Sequence, residues 1–482
     1  MQWTTTLTGY DEAFTKDGFP RPHYASIVES LGRLTTRQIK HRGKLQEVSL
    51  RNQGITFNVY GDGEGEERVF PFDFVPRVIP SSEWRQLEKG LAQRVTALNL
   101  FLKDIYTNQR ILEEKIVPYD LVYSRTDFRR ELLGAVPPHD VYTHVVGTDL
   151  IRDEDGSYVV LEDNCRCPSG VSYVIENRNI LQRTFPELFS ALPVAPVRNY
   201  PDMLLEALHY VSPQNAARGL SVVLTPGRAN SAYYEHSFLA REMGVMLVEN
   251  HDLIVEENYV YVKTTEGRRQ VGVIYRRTDD PFLDPLVFRR DSVLGVPGLI
   301  SAYRAGNVAL ANAPGSGVAD DKAVYAFVPD IIRYYLSEEP ILGQVPTYLG
   351  FRKDDAKFIV ENLDKLVVKQ TDGAGGYGIL MGPMATKEER NEFRKAVEAD
   401  PGGYVAQPLV HLSAHPTYLD AKYQARRVDL RPFVLYGDRI RVLPGGLTRV
   451  ALVEGSYVVN SSQGGGSKDT WVLEEPVAVP AR

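Results

Sequence analysis

Residues 158–170 read YVVLEDNCRCPSG. An apolar run ends in two carboxylates and an amide, followed at once by two cysteines, an arginine, a proline and a glycine. In a strand, successive side chains alternate faces, so Glu162 and Asn164 share one face and Asp163 takes the other. Hard oxygen donors at that spacing suit Mg2+, which takes one or two carboxylates with phosphate oxygens and water. The preceding segment, VYTHVVGTDLIR, supplies Asp149, and a hairpin about the turn DEDG brings Asp149 near Glu162. A polar strand end that only makes caps and turns accounts for the same residues. Cys165 and Cys167 form a C-x-C pair with no further cluster of zinc ligands beside them, and read as loop or core residues.

A second stretch, VVKQTDGAGGYGILMG, closes an apolar strand with Lys369 and continues through Gly373, Gly375, Gly376 and Gly378. Glycines let the backbone approach a ligand closely, and successive amides in such a loop cradle phosphate oxygens. The lysine precedes the glycines and a strand follows them, so this is neither a P-loop nor a dinucleotide fingerprint. A hairpin tip with a solvated lysine remains the plain alternative. Near the C-terminus, RRVDLRPF puts Arg427, Asp429 and Arg431 on one strand face, and GGLTRVA adds Arg449. Their planar forks suit carboxylate or phosphate, or else form a surface ladder of ion pairs. NSSQGGGSKD, which follows, reads equally as a disordered exit. Arg228 and Asn230 in VVLTPGRANSAYYEH, and Arg276 and Arg277 in VIYRRTDD, end two further strands.

The 482 residues, 43% hydrophobic and 24% charged, suffice for several domains with a sizeable core. The net charge of −7 comes with no basic stretch to support a nucleic-acid partner. No run of about 18 apolar residues suggests a membrane span, and no signal peptide is evident, so a reducing cytoplasm is the expected compartment. Periodicity predicts helix over 22–50, with Ile27, Leu31, Leu34, Ile39 and Leu45 on one face, then strands about GDGEGE. One long helix is predicted over 81–112, with Leu87, Leu91, Val95, Leu98 and Leu102 inward. Residues 221–249 read as a βαβ unit whose helix ends at Gly244.

In order along the chain, GTDLIRDEDGSYVVLEDNCRCPSG, LTPG, YRRTDD, DDKAVYAFVP, VVKQTDGAGGYG, VDLRPFVLYG and NSSQGGGSKDTWVL resemble the circularly permuted ATP-grasp proteins, which are related to glutathionylspermidine synthase. In the ordinary order the lysine and glycine loop precede the metal-binding carboxylate and asparagine; here LEDN at 161–164 comes before VVKQTDGAGGYG at 367–378. The resemblance implies an α+β fold in which two α+β subdomains clamp ATP, beside a βαβ-containing domain. It implies Asp149, Glu162 and Asn164 as Mg2+ ligands, Lys322 and Lys369 as the paired nucleotide lysines, and residues 373–378 as the phosphate-covering loop. It further implies Gln407 at the adenine edge and Arg431 and Arg449 at the transferred phosphoryl group. The implied reaction joins a small-molecule or peptide carboxylate to an amine through an acyl phosphate, with ATP and Mg2+. A nucleotide-binding partner protein without ligation, or a phosphotransferase, fits the same pattern. No Cys–His arrangement supports an accompanying amidase. The expected organisation is an N-terminal mixed region at 1–130, metal-ligand strands at 131–200, a βαβ-containing substrate domain at 201–315, a lysine/glycine-loop lid at 316–412 and closing strands at 413–482.

Overall fold

The structure, a computed structural model, describes residues 7–59, 66–190, 192–371, 378–459 and 464–475. At its centre is a five-stranded sheet in the order Gly343–Gln344, Tyr158–Asn164, Val145–Arg152, Phe433–Tyr436 and Ile440–Val442. Strands from the first and last parts of the chain are therefore neighbours. A separate antiparallel sheet (Tyr348–Leu349, Tyr404–Pro408, Leu366–Gln370, Ile379–Met381) comes between them in sequence. That is the spatial counterpart of the inverted motif order.

The central hairpin forms about DEDG as expected, and Asp149 stands directly opposite Glu162. A bulge follows between Asp149 and Leu150. Bulges bend a strand and re-aim its side chains. The long helix Ser81–Tyr106 packs on this sheet and against the helix Val328–Leu336. Its predicted inward residues Leu87, Leu91, Val95, Leu98 and Leu102 are all buried. The helix ends earlier than predicted. Gln109 adopts a left-handed conformation, and the Asp104 carboxylate accepts hydrogen bonds from the amides of Arg110 and Ile111, at 3.0 and 2.8 Å, starting a separate turn.

The predicted helix over 22–50 also divides, into Ala25–Gly32 and Thr36–Asn52. Thr35 begins the second with a capping box to Gln38. Leu45, expected inward, is exposed. The βαβ unit is present as Leu220–Leu224, Tyr233–Met243 and Met246–Val248, with Gly244 as the helix cap at positive φ. Its two strands lie parallel beside Gly267–Arg276 in a six-stranded sheet.

Within 316–412, the short helix Lys322–Tyr325 contacts the Tyr158–Asn164 strand and Val328–Leu336 lies on the long helix, and the separate sheet begins at Tyr348. Over residues 464–475 the alternative of a disordered exit does not hold. Gly466–Val472 is a wholly buried strand, parallel to Phe72–Ile79 and antiparallel to Thr448–Val450. Its polar residues are paired internally, Lys468 with Asp73 and Asp469 with Arg178. Residues 460–463 and most of the turn GDGEGE lie outside the described residues.

Candidate active site

A cavity of about 760 Å3 lies between the central sheet and the separate one. Small-molecule sites usually occupy roughly 300–1,000 Å3. Asp149, Glu162, Asn164, Lys322, Lys369, Gln407, Arg431 and Arg449 all line it. Residues up to 300 positions apart thus meet in one space. Of the predicted glycines, Gly378 is described and Gly373, Gly375 and Gly376 lie outside the described residues. Gly378 has φ +68°, a left-handed backbone conformation that favours glycine at the hairpin return.

The strand carrying LEDN separates its side chains as alternation demands. Asp163 faces the long helix, where Arg94 Nε and Nη2 donate to both its oxygens at 2.7–3.0 Å; both side chains are buried. Glu162 faces the cavity, its side chain 34% exposed and its nearest cationic group Lys322 Nζ at 3.7 Å. Asn164 Nδ2 donates to the Gly147 carbonyl at 2.9 Å, which leaves its amide oxygen for a ligand.

Asp149 does not stand free on the same face. Arg431 Nη2 donates to Oδ2 at 2.8 Å, Arg431 Nε donates to Oδ1, and Arg449 Nη2 reaches Oδ2 at 2.8 Å. Burial raises its pKa, but the two guanidiniums outweigh burial and hold the carboxyl down at about 2. Arg449 is gripped a second time by Asp429. Asp429 and Arg431 therefore join this cluster, while Arg427 turns away to stack on Tyr457, 3.6 Å from the ring centre.

Lys369 and Gln407 sit diagonally across two antiparallel strands, since Lys369 pairs with Val405. Diagonal neighbours on one face reach each other. Lys369 Nζ donates to Gln407 Oε1 at 2.7 Å, and Gln407 Nε2 donates to Thr347 Oγ1 at 3.0 Å. Burial pushes the Lys369 ammonium down to about 8, against the opposing pull of Glu162. The root of the glycine segment is tied to the body of the protein: Arg125 donates to Thr371 Oγ1 at 2.8 Å and pairs with Asp321 at 3.2 Å.

Sequence reasoning missed Asp320. Its carboxylate accepts from the Cys165 amide and from Arg166 Nε, the latter at 2.8 Å, and so fixes the turn after LEDN. Burial raises its pKa to about 6, with Arg166 opposing. The DD before Lys322 was its only trace in the sequence. Arg276 and Arg277 prove to be internal. Arg276 holds the Asn312 carbonyl at 2.7 Å, and Arg277 holds the Cys167 carbonyl at 3.3 Å and the Ser169 hydroxyl. Cys165 is fully buried, and Cys167 Sγ lies 3.8 Å from Arg276 Nη1. Replacing Cys167 by Ser should leave nucleotide affinity within about twofold, since the change removes no charge or hydrogen-bond donor facing the cavity. Calorimetry with an ATP analogue checks this, and stoichiometric zinc lost with the cysteine would contradict it.

The model of one family, circularly permuted ATP-grasp type 2, matches residues 76–451. An uncharacterised protein of Synechocystis sp. is 53% identical over 466 residues, covering 96% of this chain and 97% of its own. An uncharacterised protein of Mycobacterium tuberculosis is 51% identical over 474 residues, covering 98% and 85%. A Frankia casuarinae protein provisionally named glutamate–cysteine ligase 2-2 is 43% identical over 467 residues; the match covers 96% of this chain and 54% of that longer protein. Among solved structures, a glutathione synthetase-like effector from Globodera pallida aligns with a TM-score of 0.59 at 12% identity, over 92% of this chain and 98% of that one. At that identity the likeness is one of fold. No helix among the described residues is long and apolar enough to cross a membrane.

Proposed function

The chain belongs to the circularly permuted ATP-grasp type 2 family, and from that premise we propose that it is an ATP-dependent carboxylate–amine ligase acting through an acyl phosphate. The observation that carries the reading is the convergence of two lysines, two arginines and the Glu162–Asn164 pair on one cavity. The provisional name of the Frankia relative belongs to a protein of which this chain spans about half. We take from it only the reaction class, a carboxylate joined to an amine.

The donor set fits Mg2+. Glu162 offers a carboxylate without a hydrogen-bond donor among the described residues, and Asn164 offers an amide oxygen. Asp149 completes the set through the lone pair of Oδ1 that Arg431 Nε leaves over, since the two guanidiniums take both lone pairs of Oδ2. When bound, Mg2+ supplies charge neutralisation at the phosphate oxygens. Lys322 and Lys369 neutralise the phosphate chain, and Gln407 holds the Lys369 ammonium in place. Arg431 and Arg449, already fixed by Asp149 and Asp429, meet the charge that develops on the transferred phosphoryl group without reorganising. A substrate carboxylate oxygen bonds to the γ-phosphorus as ADP leaves. The amine nitrogen then bonds to the acyl carbon, and phosphate leaves as the nitrogen loses its proton. The acyl phosphate is prone to hydrolysis, so the reaction requires that water be kept from the cavity while it persists.

The test is ADP release measured over a panel of acids and amines, with mass detection of the product. Release that needs both substrates supports ligation. Release with acid alone and a stable phosphorylated product would support a phosphotransferase instead.

A pH dependence follows from Lys369. In the free protein its ammonium is half deprotonated at about pH 8. Phosphate favours the charged form, so binding takes up a proton above that pH. Nucleotide affinity should hold below pH 8 and fall above it, by up to about tenfold per pH unit. Lys369→Met should bind more weakly throughout and lose that slope, which calorimetry from pH 7 to 9.5 would show.

A further inference from the structure

A second cavity, of about 470 Å3, is framed by the helices Val171–Thr184 and Tyr233–Met243 and by residues preceding Tyr200–Tyr210. The first of these helices also reaches the active-site cleft: Tyr173 lines the cleft and stacks on Tyr234, which lines this cavity, with ring centres 6.0 Å apart. None of the residues implied for nucleotide or metal belongs to it.

Three guanidinium groups from three elements border this space: Arg183, Arg198 and Arg241. Arg183 and Arg198 form no ion pair with a described residue. Arg241 pairs with the adjacent Glu242 at 3.2 Å, in an exposed contact. Such exposed pairs contribute little and exchange readily. The buried carboxylate in the wall, Glu176, is satisfied within the protein. Asn179 Nδ2 donates to it at 3.1 Å; with the Gln53 amide in the orientation that suits both neighbours, its nitrogen donates to the other oxygen at 2.6 Å and its oxygen accepts from Arg183 Nη1 at 3.1 Å. Gln53 thus stands between Glu176 and Arg183 and fixes the guanidinium at the cavity wall. Burial raises the pKa of Glu176.

We propose that this cavity binds a small oxyanion of two or more negative charges, held by Arg183, Arg198 and Arg241. In a chain of net charge −7, the three arginines around this cavity outnumber the two carboxylates that line it, Glu176 and Glu242, and make a local positive field. Their planar forks match carboxylate and phosphate oxygens alike. The volume is that of a small-molecule site. The proposal stands independently of the ligase reading.

The test is calorimetry on the full chain with pyrophosphate and, separately, citrate at low ionic strength. The stronger ligand tells phosphate from carboxylate recognition. Arg183→Ala/Arg198→Ala should weaken the stronger ligand by about tenfold or more, the scale of losing charge-assisted hydrogen bonds. Lys322→Ala/Lys369→Ala, altered only in the cleft, should retain this binding within about twofold. Arg198→Ala alone, whose side chain bonds no described residue, serves if the double variant unfolds, and it should weaken binding in the same sense. No binding of either anion at millimolar concentration would overturn the proposal. So would binding that survives loss of the arginines and disappears with the lysines.

Discussion

Glu162→Gln should lower Mg2+-dependent ATP turnover by roughly 10²–10³-fold, the scale of removing one charge-stabilising group from a reaction centre, with the fold intact. The exchange keeps the shape of the side chain and removes one negative charge. That charge faces the cavity, 3.7 Å from Lys322, and no described residue donates a hydrogen bond to it. Its loss leaves no buried partner stranded, so the thermal midpoint should change little. The contrast with its neighbour makes the assay informative. Turnover is measured for Glu162→Gln and Asp163→Asn at equal folded concentration across a Mg2+ titration, and Asp163→Asn should lose much less. A silent Glu162→Gln would remove the LEDN strand from the chemistry.

Asp163→Ala should cost about 3–5 kcal/mol of stability, the range for breaking a buried ion pair by deleting one partner. Arg94 donates to both oxygens of Asp163, and the two side chains are 2% and 1% exposed. Without the carboxylate, a guanidinium is left buried between the long helix and the central sheet, with Gln344 as its remaining side-chain hydrogen-bond acceptor. Urea unfolding reads the loss. The fraction that stays folded should bind nucleotide within a few-fold of the wild type, because Asp163 faces away from the Glu162 side of the strand. A stable Asp163→Ala protein unable to bind nucleotide would reverse the assignment of the two faces.

The opposite fates of Glu162 and Asp163 were legible in the sequence, because alternation along a strand depends on nothing beyond the strand. The Asp149–Glu162 register was legible for a similar reason, since DEDG sets a short hairpin. Other features depend on contacts distant in sequence. Nothing in YVVLEDN announces that Arg94, 69 positions earlier, neutralises Asp163. Lys369 meets Gln407 only because of the register of two strands joined through a helix. Asp149 was read only as a metal ligand beside Glu162, and nothing in GTDLIR announces that it also holds two arginines from the far end of the chain. The tail allowed two readings. GGGSKD looks solvated by composition, but Lys468 and Asp469 find buried partners of opposite charge, which a local pattern cannot reveal. Helix ends failed where a single side chain, Asp104, overrode a continuing apolar periodicity.

The central claim is that this cavity drives a carboxylate to attack ATP, and isotope transfer tests it most directly. The protein would be incubated with ATP, Mg2+, the amine panel and a panel of acids carrying 18O in their carboxyl groups, in unlabelled water. An acyl phosphate passes one carboxylate oxygen to phosphate when the amine displaces it. The account predicts released phosphate carrying one 18O, in step with amide formation, and no labelled phosphate from Glu162→Gln. ADP formed together with unlabelled phosphate would mean that water is the acceptor, and would contradict the account.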